Sequence, residues 1–324
     1  VSGPIDRRKF LRNTALGLAS LSLGGRALAA SAAPPSPDGG EASAARPRLV
    51  VGKGPGARQD LDRALERVLA PLGGMAAFVR AGQTVVLKPN LGFPNAPAVR
   101  ATTSPWLTAA VVRKVQACGA KRILIADYPC RDGDEILTTN RYAEALKGLP
   151  VELLIAGEEG QFADVAVPRG RALKRTKVLK AVLEADVHIA LPLAKSHGGA
   201  RFTGVLKGAM GVIWDRRCFH GDLDLHQAIA DLGTAVRPHL CILEGLEVMT
   251  DNGPVGPGTL VAADSLVAGT DPVAVDAAGV TLAPLYGKRM APRQIEHLRL
   301  AEELGVGRLE PPAAELLTLE LPAA

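Results

Sequence analysis

The chain of 324 residues is 47% hydrophobic, 22% charged and only 3% aromatic, enough length and apolar content for one large or two modest packed domains. That composition excludes a chain disordered throughout, a collagen-like repeat and a disulfide-dense scaffold, and no apolar run approaches the roughly eighteen residues of an integral membrane span. The formal net charge is +5, but Arg7, Arg8, Lys9, Arg12 and Arg26 against Asp6 place most of it before residue 30, and the near-neutral remainder excludes a nucleic-acid footprint.

In chain order, the charged stretch Asp6-Arg7-Arg8-Lys9-Phe10-Leu11-Arg12 precedes a short apolar region, and Ala27-Leu28-Ala29 supplies a small-x-small cleavage pattern. Residues 1–30 resemble a twin-arginine signal peptide, which implies export to the periplasm or beyond by the twin-arginine machinery. Residues 31–47, rich in Ala, Pro, Ser and Gly, read as a flexible linker. From residue 48 to about residue 310, short β-rich runs alternate with amphipathic patterns. Strands are predicted at 49–52, 84–88, 122–126, 151–155, 187–191 and 240–243. Helices are predicted where Leu61, Leu65, Val68 and Leu72 recur, after Ser104-Pro105, after Asp224, and after Thr270-Asp271-Pro272. This alternation predicts an α/β fold with a largely parallel sheet flanked by helices. Two lobes, 48–160 and 185–310, are expected, bridged by residues 168–186, and the pattern leaves open whether they share one sheet. Residues 311–324 read as a C-terminal tail.

Polar, glycine-bearing segments interrupt that core pattern. Lys88-Pro89-Asn90 follows a predicted strand, and the carboxyl ends of parallel strands form ligand crevices. Lys88 there can hold a carboxylate or phosphate that Asn90 orients. The segment from Lys195 to Gly211 also follows a strand. Lys195, Arg201 and Lys207 supply positive charge, and His197 can exchange a proton near neutral pH. Neither a Walker A loop nor a complete dinucleotide fingerprint occurs, since Ala57 stands where the latter needs glycine. His220, Asp222 and His226 are dense enough to ligate a divalent metal, but their spacing fits no standard motif. Capping by Asp224 with exposed histidines around it is the alternative. Asp271 is a helix cap and a candidate substrate contact, while Asp276 falls inside the same helix, where burial would demand a Lys or Arg partner or a polar site. His188, His239 and His297 read as satisfied structural residues. Cys118, Cys130, Cys218 and Cys241 lack any Cys-x-x-Cys spacing, so no ferredoxin-type iron–sulfur cluster or structural zinc is expected.

Residues 79–91, 191–197, 204–211, 225–226 and 270–276 together resemble, in order and spacing, the signature segments of the DUF362 family, over about residues 48–305. The resemblance implies no established activity. Many relatives carry ferredoxin-type cysteines that this chain lacks, and Gly208 stands where the family usually has asparagine. The segment from His197 to Lys207 is similar in layout to the glycine-rich segment of the lactate-racemase family. That likeness implies His197 as acid/base and Lys207 as the anchor of a nickel-pincer nucleotide. The function expected is therefore an exported enzyme that binds a small anionic substrate or cofactor. His197 and Lys207 would be catalytic, and Lys88, Asn90, Lys195, Arg201 and Asp271 would contact the ligand. The alternative is a non-catalytic periplasmic protein that binds a ligand or a metal.

Overall fold

Runs of Val, Ile and Leu at the predicted positions become the inner strands, because β-branched and branched side chains suit strands buried on both faces. In the computed structural model, which describes residues 48–323, these are β1 (Leu49–Lys53), β2 (Thr84–Pro89), β3 (Arg122–Asp127) and β4 (Glu152–Ile155). A separate hairpin, β5 (Phe162–Ala166) and β6 (Arg175–Leu179), precedes β7 (Val187–Leu191). The later strands are β8 (Leu193–His197), β9 (Arg201–Thr203), β10 (Leu240–Met249), β11 (Leu260–Gly269) and β12 (Leu316–Glu320). The signal sequence and linker read at 1–47 lie outside the described residues.

One ten-stranded sheet runs β12-β1-β11-β10-β7-β2-β3-β4, with β8 beside β10 and β9 beside β8. Strands β10, β7, β2, β3 and β4 are mutually parallel. A loop over residues 251–258 turns the chain back on itself, so β11 runs antiparallel to both β10 and β1. Both lobes thus contribute to a single sheet. Residues 316–320, read from sequence as part of a tail, form β12 and pair parallel with β1.

Alternation along each strand divides the core into two layers. Val85, Leu87, Ile189 and Ile242 face one side, with α1 (Leu61–Leu69) and α2 (Pro105–Ala117) packed over them. Val86, Ala190 and Leu243 face the other, covered by α3 (Leu225–Ala235), α4 (Pro272–Thr281) and α5 (Glu296–Glu303). Each fully buried Leu, Ile or Val contributes roughly 1.5–3 kcal/mol. The helices begin where the capping residues stand. Asp60, Ser104, Asp224 and Asp271 each accept a backbone N–H from the first turn of α1, α2, α3 and α4. In the bridge between the lobes only Lys180–Glu184 is helical, since the basic stretch before it is drawn into β6.

Candidate functional site

At the carboxyl ends of the parallel strands, β2 delivers Lys88 and β3 delivers Asp127. Both side chains are buried, with Lys88 Nζ 2.9 Å from Asp127 Oδ1. The Asp127 carboxylate also accepts from the Leu91 and Tyr128 N–H groups at 2.7 and 2.8 Å. A buried pair supplied with hydrogen bonds in this way is stable, and it leaves neither partner free for a ligand. Gly211 lies directly against the pair, where a Cβ would overlap Lys88 Nζ and Asp127 Oδ1. Asn90 is used locally: its main chain exchanges hydrogen bonds with Thr103, and its Oδ1 accepts from Gly92 N–H at 3.4 Å. Lys88 and Asn90 therefore build the floor of a crevice. The cavity they bound with His188 and Leu206 holds about 20 Å³, room for a water and no more.

The β8–β9 hairpin carries the next groups. Lys195 is fully buried and donates to the carbonyls of Ala101 and Pro254, tying two loops together. Burial, reinforced by the charge of Lys207, pulls its ammonium down to about 7. His197 is 8% exposed, and its Nδ1 accepts from Ala200 N–H at 3.1 Å. That bond assigns the ring proton of the neutral form to Nε2, which has no partner among the described residues. Burial, with Lys207 and Lys195 adding to it, holds His197 down to about 3. At neutral pH it is thus a neutral Nε2–H donor, which corrects the expectation that it titrates near pH 7.

Lys207 sits on the helical turn Val205–Gly208 that follows β9. The turn is held from α4 by Asp276, whose two oxygens accept from the Val205 and Leu206 N–H groups at 2.6 and 3.0 Å. The partner of this buried carboxylate is therefore a pair of backbone amides, so of the alternatives the sequence offered, a Lys or Arg partner or a polar site, it is the polar surroundings that are found. Gly204 makes the approach possible, because a Cβ there would overlap the Asp276 carboxylate. Among the described residues the Lys207 ammonium has no ion-pair or hydrogen-bond partner. Burial lowers it to about 8, with the sulfur of Cys130 opposing that shift and Arg216 and Lys88 adding to it.

Three groups here escaped the sequence reading. Arg216 donates to the carbonyls of Tyr128 and Pro129 at 2.6 and 2.8 Å and lies 4.1 Å over the Tyr128 ring, which stacks on Trp214. Asp127 and Cys130 flank that ring at the end of β3. Their position after a strand was the available signal, the same one that singled out Lys88. Lys207 lies near enough to Lys195, Arg216 and Lys88 for these charges to act on one another.

Other candidates lie elsewhere. Arg201 is exposed at the start of β9, 5.9 Å from the Tyr286 ring. Asp271 is at the opposite end of the sheet. It caps α4, accepts from Arg308 N–H at 2.8 Å, and borders a polar hollow of about 350 Å³ with Arg48 and Arg237. His220, Asp222 and His226 do not converge: among the described residues no group of three His, Cys, Asp or Glu is placed to hold a metal. His226 instead stacks on His297 at 5.7 Å, with Glu296 4.0 Å from its Nε2. His297 is not a satisfied core residue either, since both its ring nitrogens are buried without a partner, as is His188 Nε2. For the nickel-pincer nucleotide implied by resemblance, Lys207 offers the free amine that an anchor needs and His197 a free ring nitrogen. Such a group would bring nickel-based redox chemistry.

Residues 85–281 match the family described as a domain of unknown function, DUF362. A thylakoid-associated protein from a Synechocystis species is 29% identical over 259 residues, covering 78% of this chain and 76% of that protein. Among solved structures, the lactate racemase apoprotein from Thermoanaerobacterium thermosaccharolyticum aligns with a TM-score of 0.43 at 14% identity, over 72% of this chain and 58% of that one. A Thermotoga maritima protein aligns with a TM-score of 0.38 at 12% identity, over 61% of this chain and 54% of that one. The chain thus spans little more than half the length of these two structures.

Proposed function

The chain belongs to the DUF362 family, and from that premise we propose that it binds a small oxyanion, a carboxylate or phosphate, at Lys207 and His197, outside the one-water cavity that Lys88 and Asn90 bound. Lys207 supplies the charge, His197 Nε2–H a directed hydrogen bond, and Lys195 and Arg216 the surrounding positive field. The observation that carries this reading is the half-buried, unpartnered ammonium of Lys207, with Lys195 and Arg216 nearby bonded to main-chain carbonyls. Unpaired buried charge is costly unless an opposite charge arrives. As an enzyme, the protein would use the lysines to stabilise negative charge developing on its substrate, while His197 donates or relays a proton at Nε2. A non-catalytic binder is the second reading, favoured by the neutral state of His197. The two separate on His197→Gln, which abolishes turnover in an enzyme and only weakens binding in a carrier. We also propose export of the chain by the twin-arginine route, supported by the paired arginines and cleavage pattern of residues 1–30. Cell fractionation with Arg7 and Arg8 replaced by lysine tests it, and unchanged export would contradict it.

Calorimetric titration with inorganic phosphate, sulfate and acetate tests the site. Lys207→Met is expected to weaken binding by at least about tenfold, the loss typical of a charge-assisted contact. Equal affinity in the variant would overturn the assignment.

A further inference from the structure

The polar hollow beside Asp271, of about 350 Å³, has the size of a small-ligand site. Three chain segments bring arginines to it: Arg48 just before β1, Arg237 between α3 and β10, and Arg308 in the loop after α5. Arg169 joins them from the loop of the β5–β6 hairpin, since a Cβ at Gly305 in the wall of the hollow would stand 3.8 Å from its Nη1. All four are exposed, and among the described residues none is ion-paired with a carboxylate. Arg237 donates to Val306 O at 2.6 Å, while the other three side chains bond to nothing. The carboxylates of the wall are already engaged. Asp271 accepts from the Val273, Ala274 and Arg308 N–H groups at 2.8, 3.1 and 2.8 Å. Glu302 accepts from Arg293 Nη2 at 2.9 Å and Leu309 N–H at 2.8 Å. Of the lining carboxylates only Glu315 has a side chain without a partner among the described residues.

We propose that this hollow is a second binding site, separate from Lys207, for a small soluble anion whose phosphate groups carry two or more negative charges and are held by Arg48, Arg237 and Arg308. Planar guanidinium groups match phosphate oxygens through paired N–H bonds and keep their charge at any working pH. The main chain that bears them is fixed beforehand. Gly307 packs so closely on Asp271 that a Cβ there would overlap the carboxylate, and the Arg48 N–H is bonded to Glu315 O at 2.8 Å. A site set in advance loses less of its binding energy to ordering. No aromatic residue lines the hollow, so nothing in it stacks a nucleobase, and recognition falls to the phosphates.

Calorimetric titration with inorganic pyrophosphate, free of divalent metal, tests the site in the wild-type chain and in Lys207→Met. Both proteins should bind it. In the Lys207→Met background, Arg48→Gln and Arg308→Gln remove side chains that bond to nothing in the fold, and together they should weaken binding at least about tenfold. Arg80→Gln, which removes a charge from an exposed loop elsewhere, should leave the affinity unchanged. Absence of pyrophosphate binding in Lys207→Met would overturn the proposal, and binding confined to the wild type would leave the Lys207 site standing. Equal affinity in the Arg48→Gln, Arg308→Gln double variant and in Arg80→Gln would also overturn it. Sedimentation with phosphatidylglycerol vesicles separates a soluble anion from a lipid headgroup. No retention is expected, and retention lost in the double variant would overturn the soluble source.

Discussion

His297 carries two ring nitrogens buried without a partner, stacked on His226, whose Nδ1 is also unpartnered. Burial, with the charges of His226, Lys207 and His197 adding to it, lowers His297 from 6.5 to about 3. His188 and His197 are held to about 3 as well, burial again leading. The unfolded chain therefore binds protons that the folded chain refuses. The stability these groups contribute is complete above pH 6.5 and is lost as pH falls from 6.5 toward about 3. Each group costs about 1.4 kcal/mol per pH unit inside that window. Replacing His297 with Phe removes one of the three. Urea unfolding at about pH 7.5 and about pH 5 should show an acid-induced loss smaller by about 2 kcal/mol in the variant. An identical loss in both proteins would contradict the assignment. Asp276 is a second residue-scale case. In Asp276→Asn one acceptor becomes a donor facing a backbone N–H, so the turn bearing Lys207 should lose about 1–3 kcal/mol of stability together with phosphate affinity, read by the same unfolding and calorimetric measurements.

The elements were largely legible. Strands buried on both faces announce themselves as short apolar runs, and six of them alternate with helices whose caps stand at Asp60, Ser104, Asp224 and Asp271. What stayed hidden depends on tertiary pairing. β12 is Leu316-Leu317-Thr318-Leu319-Glu320, a mostly exposed segment that pairs with β1, packs Leu319 against the core and is followed by buried Leu321. β11 has an outer half that is partly exposed, so it gives no continuous apolar signal. Of the candidate site, what was legible was the placing of Lys88 and His197 at strand ends and of Lys207 just after β9. The rest was not legible where chain reversal brings distant groups together, as with Arg216 on Tyr128 and Asp276 beneath the Val205–Gly208 turn. Asp271 lies apart from Lys88, His197 and Lys207, capping α4 at the opposite end of the sheet, and in sequence a helix cap and a ligand carboxylate look alike. Truncation after residue 311 should expose the β1 edge and uncover the apolar seat of Leu321. Hydrogen exchange should then show lost protection across 49–53, and full protection there would contradict the pairing described.

At the scale of the whole molecule, one continuous sheet gathers charge from both halves of the chain to a single end. β2 and β3 bring Lys88, Asp127 and Cys130, while the segment after β7 brings Lys195, His197 and Lys207. The opposite end, around Asp271, pairs its carboxylate with backbone amides. Among the described residues the cations named at the first end, apart from Lys88, lack a carboxylate partner, and on the proposed anion-binding reading they would set the proton linkage of binding. With Lys195 and Lys207 lowered to about 7 and about 8, a bound anion raises both again. Binding should take up protons near pH 8 and weaken as pH rises through that range, which calorimetry in buffers of different ionisation enthalpy can read. Proton release on binding would contradict it.

The most direct test of the anion site is an anomalous-difference map from crystals soaked in bromide, with the Lys207→Met variant soaked identically. The account predicts a peak within contact distance of Lys207 Nζ and on the His197 Nε2 side, absent in the variant. Bromide found only on surface arginines or in the hollow beside Asp271, with nothing near Lys207, would contradict it.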